Sequence, residues 1–293
     1  MFRHNFLLVT LLFLTSSLGA QTTLWTIHSP YYGPRYLYLD DAFVPSDSLQ
    51  SANLRVIYQY SSVIDTLENT IAEERMLLEV GSSVSKFSSY EHFQIDSLLR
   101  VSTLSVSSIA LKVLSRKHLS PEFFESVFFN YPANRVTLTG RIVATDFVYD
   151  EPLPVFEWKI TEETDSWCGY LIQKALCRFR GRDYEAWFAP DIPVPLGPWK
   201  FWGLPGLIIK IHDLAERYRF EASSIASEDT GFIGFPNYAY QRTSRKEYLK
   251  AKAQIIANYP LYQKYYNNNT GIIVMPREGY KPKILRYDFI ELE

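Results

Sequence analysis

The chain has 293 residues, 47% of them hydrophobic, 16% aromatic and 21% charged, with a formal net charge of −2. That is a globular balance, and it excludes generic nucleic-acid binding, which needs a basic surface. Its 21 Tyr and 19 Phe suit strands and half-buried sheet faces. The fold class expected is mainly β or α+β, a curved antiparallel sheet with a few packing helices.

Residues 1–20 read as a signal peptide. Arg3 and His4 precede the apolar run Phe6 to Thr15, and Gly19-Ala20 supplies the small residues of a cleavage site. The run is too short to span a bilayer. No Cys lies near the junction to carry a lipid, and no later run is long enough to cross a membrane. The expected mature chain is exported, soluble and not lipid-anchored, in the periplasm or outside the cell.

Residues 21–52 carry Pro30, Gly33, Pro34 and Pro45 with little periodicity and are expected to form an irregular N-terminal arm. Residues 53–293 are expected to form a single β-rich domain. In Leu54 to Val63, Leu54, Val56, Tyr58 and Tyr60 alternate with Arg55, Ile57 and Gln59, a strand pattern. Met76 to Val80 predicts a second strand, and Ile95 to Val113 is compatible with helix or strand. Ser120-Pro121 resembles a cap with proline at the first helical position, predicting a short helix through PEFFESVFF.

From Arg135 the pattern is β again. RVTLTGRIVATDFVYD alternates over long stretches, Phe156 to Ile160 is a strand candidate, and Leu171 to Phe188 is the clearest hairpin. Ser244 with Glu247 three residues on forms a capping box. It opens a helix that must stop before Pro260. ILRYDFIEL is expected to be a closing strand.

Placing the hairpin loop at Gly181-Arg182, as a type II′ turn with Gly first, pairs Arg180 with Asp183 and Arg178 with Glu185. Every charge of that cluster then has a cross-strand partner, except Arg182, left at the turn tip as the residue most free for function. The two cysteines, Cys168 and Cys177, would lie roughly 30 Å apart along an extended strand. A disulfide needs about 7 Å or less, so the spacing argues against one.

Within KFWGLPGLIIKIHD, Leu204-Pro205-Gly206-Leu207 fits a type II turn with positive φ at Gly206, and Gly203 permits close approach before it. Leu207, Ile209 and Ile211 then share one strand face. The segment reads first as a bend delivering a buried strand. The functional alternative is a ligand groove walled by Trp187, Trp199 and Trp202, with Arg182 as its polar group.

Chemistry is sparse. The histidines lie far apart, His-Glu-x-x-His and paired Cys motifs are absent, and there is no G-x-S-x-G or glycine-rich phosphate loop. No metal and no cofactor is expected. His212-Asp213 reads as a structural dyad at a strand end. Asp150 and Glu151 read as loop acids whose side chains diverge.

YDEPLPVFEWKI, YLIQKALCRFRGRDYEAWFAPDIP and GPWKFWGLPGLIIKIHD follow one another in that order. The order resembles the GLPGLI family of exported Gram-negative proteins, whose hexapeptide is here Gly203, Leu204, Pro205, Gly206, Leu207 and Ile208. Gln173-Lys174-Ala175, Ala186-Trp187, Ile192-Pro193 and Gly197-Pro198 support the match, and SKF at Ser85–Phe87 and the terminal IELE extend it thinly. Ile172 stands where the family often has Cys. The resemblance implies export, carries no catalytic residues, and more distantly suggests the curved sheets of periplasmic lipoprotein carriers. The function expected is non-catalytic: a periplasmic binding or carrier protein for an apolar small molecule or for a segment of an envelope protein. A hydrolase with a dispersed site, or an accessory subunit of an outer-membrane uptake system, is the alternative.

Overall fold

The computed structural model describes residues 24–29, 33–38, 46–67, 69–101, 125–142, 145–227, 231–257 and 289–292. The chain divides into two compact units, one of residues 1–45, 94–120 and 258–284, the other of residues 46–93, 121–257 and 285–293. In the first, β1 (Leu24–Ser29) and β2 (Gly33–Tyr38) pair antiparallel, with Leu24 opposite Tyr38.

The second unit is built on a large sheet, antiparallel except at one edge and not closed into a barrel. Its strands in chain order are β4 (Leu54–Asp65), β5 (Thr70–Val80), β6 (Ser85–Ser89), β7 (Ser126–Phe129), β8 (Arg135–Ile142), β9 (Thr145–Pro152), β10 (Lys159–Trp167), β11 (Tyr170–Phe179), β12 (Arg182–Ala189), β13 (Leu207–Asp213), β14 (Tyr218–Ala226) and the two-residue β16 (Gln241–Arg242). The spatial order is β10-β11-β12-β13-β14-β4-β5-β6-β7-β8-β9-β16. Beside it, β3 (Ser46–Ser51) pairs with β15 (Phe232–Pro236). Among the described residues the helices are α1 (Tyr90–Val101), which runs from this unit into the first, and α2 (Arg245–Ala257). The mainly-β expectation therefore holds.

The alternation in β4 positions the core. Val56, Tyr58 and Tyr60 are buried, while Arg55 turns to the other face and pairs with Glu79 of β5 at 2.8 Å. Tyr60 stacks on Phe220 of β14 at 4.8 Å, and Phe87 of β6 meets both Tyr58 and Phe220 edge-on. Offset and edge-on contacts are the favoured aromatic geometries. These four rings thus share one interior.

Several local expectations change. The described residues of the 21–52 stretch form β1, β2 and the whole of β3 rather than irregular backbone. Ser126–Phe129, expected as the end of a helix, is β7, because Val127, Phe128 and Phe129 are all buried beside β6 and β8. The proposed helix start at Ser120-Pro121 lies outside the described residues, as do residues 102–113 of the ambiguous Ile95–Val113. The described part of that segment is helix, and it is introduced by Ser89, whose Oγ accepts from His92 N at 3.3 Å. Phe156 to Trp158 are not in a strand, and β10 begins at Lys159. Of the expected closing strand ILRYDFIEL, residues 284–288 lie outside the described residues, and Phe289–Leu292 are not in a strand. The Ser244 half of the capping box is present: Glu247 N donates to Ser244 Oγ at 3.3 Å, while the Glu247 carboxylate accepts from Thr243 Oγ1 at 3.4 Å.

The hairpin register is displaced by one residue. Arg178 faces Asp183, Cys177 faces Tyr184 and Phe179 faces Arg182, so the two-residue loop is Arg180-Gly181. Both have positive φ, 44° and 82°, which is the type I′ pattern rather than type II′. One step along a strand exchanges faces, so Arg182 joins buried Tyr184, Ala186 and Phe188. Both thiols are free: Cys168 is exposed at the β10–β11 turn and Cys177 is buried on β11, where burial pushes its thiol up to about 12.

The two glycines of the hexapeptide exchange the roles expected of them. Gly203 carries the positive φ, 93°. Gly206 is a close-approach residue, where a Cβ would lie 2.2 Å from the Ala189 carbonyl oxygen. Gly206 N donates to Leu204 O at 2.8 Å, so the bend is a three-residue γ-turn centred on Pro205 rather than a type II turn. Beyond it Leu207 N and Ile208 N donate to Ile192 O and Leu196 O, both at 3.0 Å, and buried Tyr58 Oη donates to Ile208 O at 2.7 Å. Gly206→Ala should therefore cost about 3 kcal/mol or more, since backbone must move. Gly203→Ala, with open space but an unfavourable φ, should cost about 1–2 kcal/mol. Thermal unfolding of the two variants checks the order.

Candidate functional site

Residues 190–206, between β12 and β13, fold over the sheet and carry Lys200 into the interior. Trp199 takes the left-handed conformation, φ 54°, uncommon for a bulky residue and held here by what it and its neighbour reach. Lys200 has 0% relative exposure. Its ammonium donates to Glu151 Oε1 at 2.7 Å, to Glu291 Oε1 at 2.8 Å and to Tyr149 Oη at 3.2 Å. Those three bonds use all three of its donors. The rings of Trp199 and Tyr149 lie 5.3 and 5.4 Å from the nitrogen, within cation–π range.

Two guanidinium groups complete the cluster. Arg180, from the β11–β12 loop, donates to Glu151 Oε2 at 2.7 Å and, closely, to Glu291 Oε2. Arg245, at the start of α2, lies 3.1 Å from Glu291 Oε2 and 3.7 Å from Glu151 Oε2. Trp199 Nε1 donates to Glu291 Oε1 at 3.0 Å. Three cations thus surround two carboxylates. Burial alone would raise the Glu291 carboxyl, but Lys200 and Arg180 outweigh it and hold the group at about 2. Burial, reinforced by Glu291 and Glu151, drives the Tyr149 hydroxyl well above its usual range.

The segment bearing Glu291 is gripped along its main chain as well. Arg182 donates to Phe289 O from Nε at 3.1 Å and from Nη2 at 2.6 Å, and to Asp213 Oδ2 at 3.0 Å. Tyr184 Oη donates to Ile290 O at 3.0 Å, and Leu292 N donates to Arg180 O at 3.1 Å. Asp213 also accepts from Arg217 N and Tyr218 N, both at 2.7 Å. The cluster joins β9, second from one end of the sheet, to the loop after β11, second from the other end. The sheet must therefore curl for these ends to come within ion-pair distance.

The residues expected to form a ligand groove are not assembled into one. Arg182 is buried and bonded on both sides, because the shifted register turns it inward. Trp199 is buried with its indole N–H committed to Glu291. Trp202 donates to Pro154 O at 2.7 Å and accepts on its own carbonyl from Trp158 Nε1 at 2.9 Å, clasping two loops together. Trp187 lies on the opposite face of β12, where Nε1 donates to Glu185 Oε1 at 2.9 Å and Lys174 Nζ lies 5.9 Å from its ring. Glu185 therefore pairs with Lys174, at 3.0 Å, in place of Arg178.

Asp150 and Glu151 belong to β9 rather than to a loop, and they do diverge. Glu151 enters the cluster, while Asp150 takes Arg135 and, at 3.2 Å, Arg242. His212 lies 3.4 Å from Glu216 and faces Glu185 across β12 and β13. The sequence reading did not single out Lys200 and Glu291 as candidate site residues. The available signals were a lone lysine between Trp199 and Phe201 and a carboxylate within the apolar IEL. Among the described residues no group of three or more His, Cys, Asp or Glu side chains is placed to hold a metal ion.

A family model described as a protein of unknown function (Porph_ging) matches residues 179–210. That stretch contains Arg180, Arg182, Lys200 and the hexapeptide. No curated protein matches. Among solved structures, PNGF-II in space groups P21 and C2 is similar, at 17% identity in both, with TM-scores of 0.45 and 0.44. The likeness covers 68% and 69% of this chain and 33% and 32% of those chains, so the chain spans about a third of their length.

Breaking a buried pair from one side costs about 3–5 kcal/mol, whereas an exposed pair contributes about 1 kcal/mol or less. Arg182→Ala should therefore lower the melting temperature far more than Arg178→Ala, whose 3.3 Å bridge to Asp183 is exposed. For Glu291, a folded pKa below the unfolded one stabilises the protein above the unfolded value, about 4.3. That stabilisation is lost as pH falls toward about 2. Glu291→Gln should destabilise at neutral pH, and its deficit against the parent should shrink between about pH 4.3 and 2. Urea unfolding at several pH values measures it.

Proposed function

We propose that the chain is an exported, non-catalytic binding protein of the GLPGLI type, acting in the periplasm or outside the cell on an extended segment of an envelope partner. No helix among the described residues is long and apolar enough to cross a membrane. An apolar small molecule is the weaker ligand: the indoles of Trp199 and Trp202 that would have walled its groove donate to Glu291 and Pro154 instead.

The observation that carries the partner reading is the edge at β10. Among the described residues it pairs with β11 alone, leaving its outer backbone groups open to a strand added from another chain. The tip and neighbouring loop expose apolar side chains, with Val155 at 84% and Leu171 at 55%. Trp167 stacks on Tyr170 at 6.5 Å beside exposed Cys168. The edge carries exposed Glu162, Glu163 and Asp165, which favours a basic segment as the added strand.

The ladder is irregular between Ile160 and Thr164, and proline is tolerated at edge irregularities while removing a donor. Glu162→Pro should leave the melting temperature unchanged yet abolish recovery of the partner from the native envelope. Leu171→Asp should weaken recovery roughly tenfold or more. If both variants retain the partner, or if the purified protein yields a stoichiometric lipid on extraction, the edge reading is wrong.

A further inference from the structure

We infer that Lys200, Arg180, Arg245 and the Trp199 indole form a carboxylate-recognition site for an extended peptide, and that Phe289–Leu292 is its ligand bound in cis. This site is separate from the β10 edge and does not rest on the function proposed there.

The segment is held as a peptide rather than as part of the sheet. It has no ladder pairing. Its contacts alternate between sequence-independent and sequence-dependent kinds. Arg182 takes the Phe289 carbonyl with two donors, Tyr184 takes the Ile290 carbonyl, and the Arg180 carbonyl takes Leu292 N–H. Those bonds read backbone and would hold any extended chain. Specificity falls on one side chain. Glu291 receives Lys200 at 2.8 Å and Trp199 Nε1 at 3.0 Å on one oxygen, and Arg180 and Arg245 on the other. A planar carboxylate presenting two oxygens to convergent donors satisfies that geometry, whereas a neutral amide would present an N–H₂ to cations.

The receptor side has its own fixed supports. Asp213 holds Arg182 at 3.0 Å and is itself fixed by two backbone N–H groups. Glu151 orients Lys200 and Arg180 from behind, at 2.7 Å each. Without Glu291, three cations would face one carboxylate in the interior. The site consequently selects an anion on an extended chain, with Ile290 packed against the core on one side of it and Leu292 exposed on the other.

The test uses a chain ending at residue 288 and the synthetic peptide FIELE. Saturable binding is expected by calorimetry, with a rise in the melting temperature of the shortened chain. The peptide FIQLE should bind at least about tenfold more weakly, as expected for loss of a charge-assisted set of bonds. Equal affinity for the two peptides, or no binding to a shortened chain that retains its β-sheet circular dichroism, overturns the inference. Should the shortened chain fail to fold, full-length Glu291→Gly serves instead. Acetate should raise its melting temperature in a saturable manner, and chloride at equal ionic strength should not. Equal effects of the two salts overturn the inference.

Discussion

The interior of the large unit depends on the burial of one ammonium group. Lys200 is withdrawn completely from water, and a lone charge there would be untenable. It is stabilised only because Glu151 and Glu291 approach within 2.7 and 2.8 Å and Tyr149 accepts the remaining proton. Those partners come from β9 and from the far segment Phe289–Leu292. Satisfying one lysine therefore requires the loop of residues 190–206, a strand near one end of the sheet and a distant piece of chain to meet at one point. The curl of the sheet, the left-handed backbone at Trp199 and the inward turn of Arg182 are geometric conditions of that meeting.

Buried ionic groups seldom add stability over a well-packed apolar alternative, but they discriminate strongly between right and wrong arrangements. Here the aromatic packing around Phe201, which touches Tyr184, Phe179 and Phe156, supplies adhesion that many arrangements could share. The charges select among them. A loop displaced by one residue would put Lys200 in the place of Phe201, among Tyr184, Phe179 and Phe156, rather than between two carboxylates.

What was legible in the sequence follows from the range of the forces involved. Period-two alternation is local, so β4, β8, β9, β11 and β12 were readable. The Ser244 cap was readable for the same reason. The hairpin register failed by one residue because turn type depends on whether Arg180 accepts a positive φ, and tertiary bonding of Arg180 to Glu151 and Glu291 decides that. PEFFESVFF resembled a helix because the burial of Val127, Phe128 and Phe129 on neighbouring strands is not encoded locally. The hexapeptide was recognised as a bend, but the distinct needs of Gly203 and Gly206 were exchanged, since only the position of the Ala189 carbonyl reveals the second. The carboxylate site was the least legible element. Its members, Glu151, Arg180, Lys200, Arg245 and Glu291, are scattered over half the chain, and each taken alone resembles a surface charge.

That scatter has a consequence in time. Arg180 and Glu291 are 111 positions apart, and Trp199 and Glu291 are 92 apart. Contacts of such separation are costly to form early, because the loop must be closed before they repay it. By that criterion the charges around Lys200 are expected to come together after the local hairpins β4–β5, β8–β9 and β11–β12 have paired. Interactions made late act on the escape from the folded state rather than on the approach to it. The cluster is accordingly expected to act on longevity: on how rarely the molecule opens, while the local hairpins act on how quickly it first assembles.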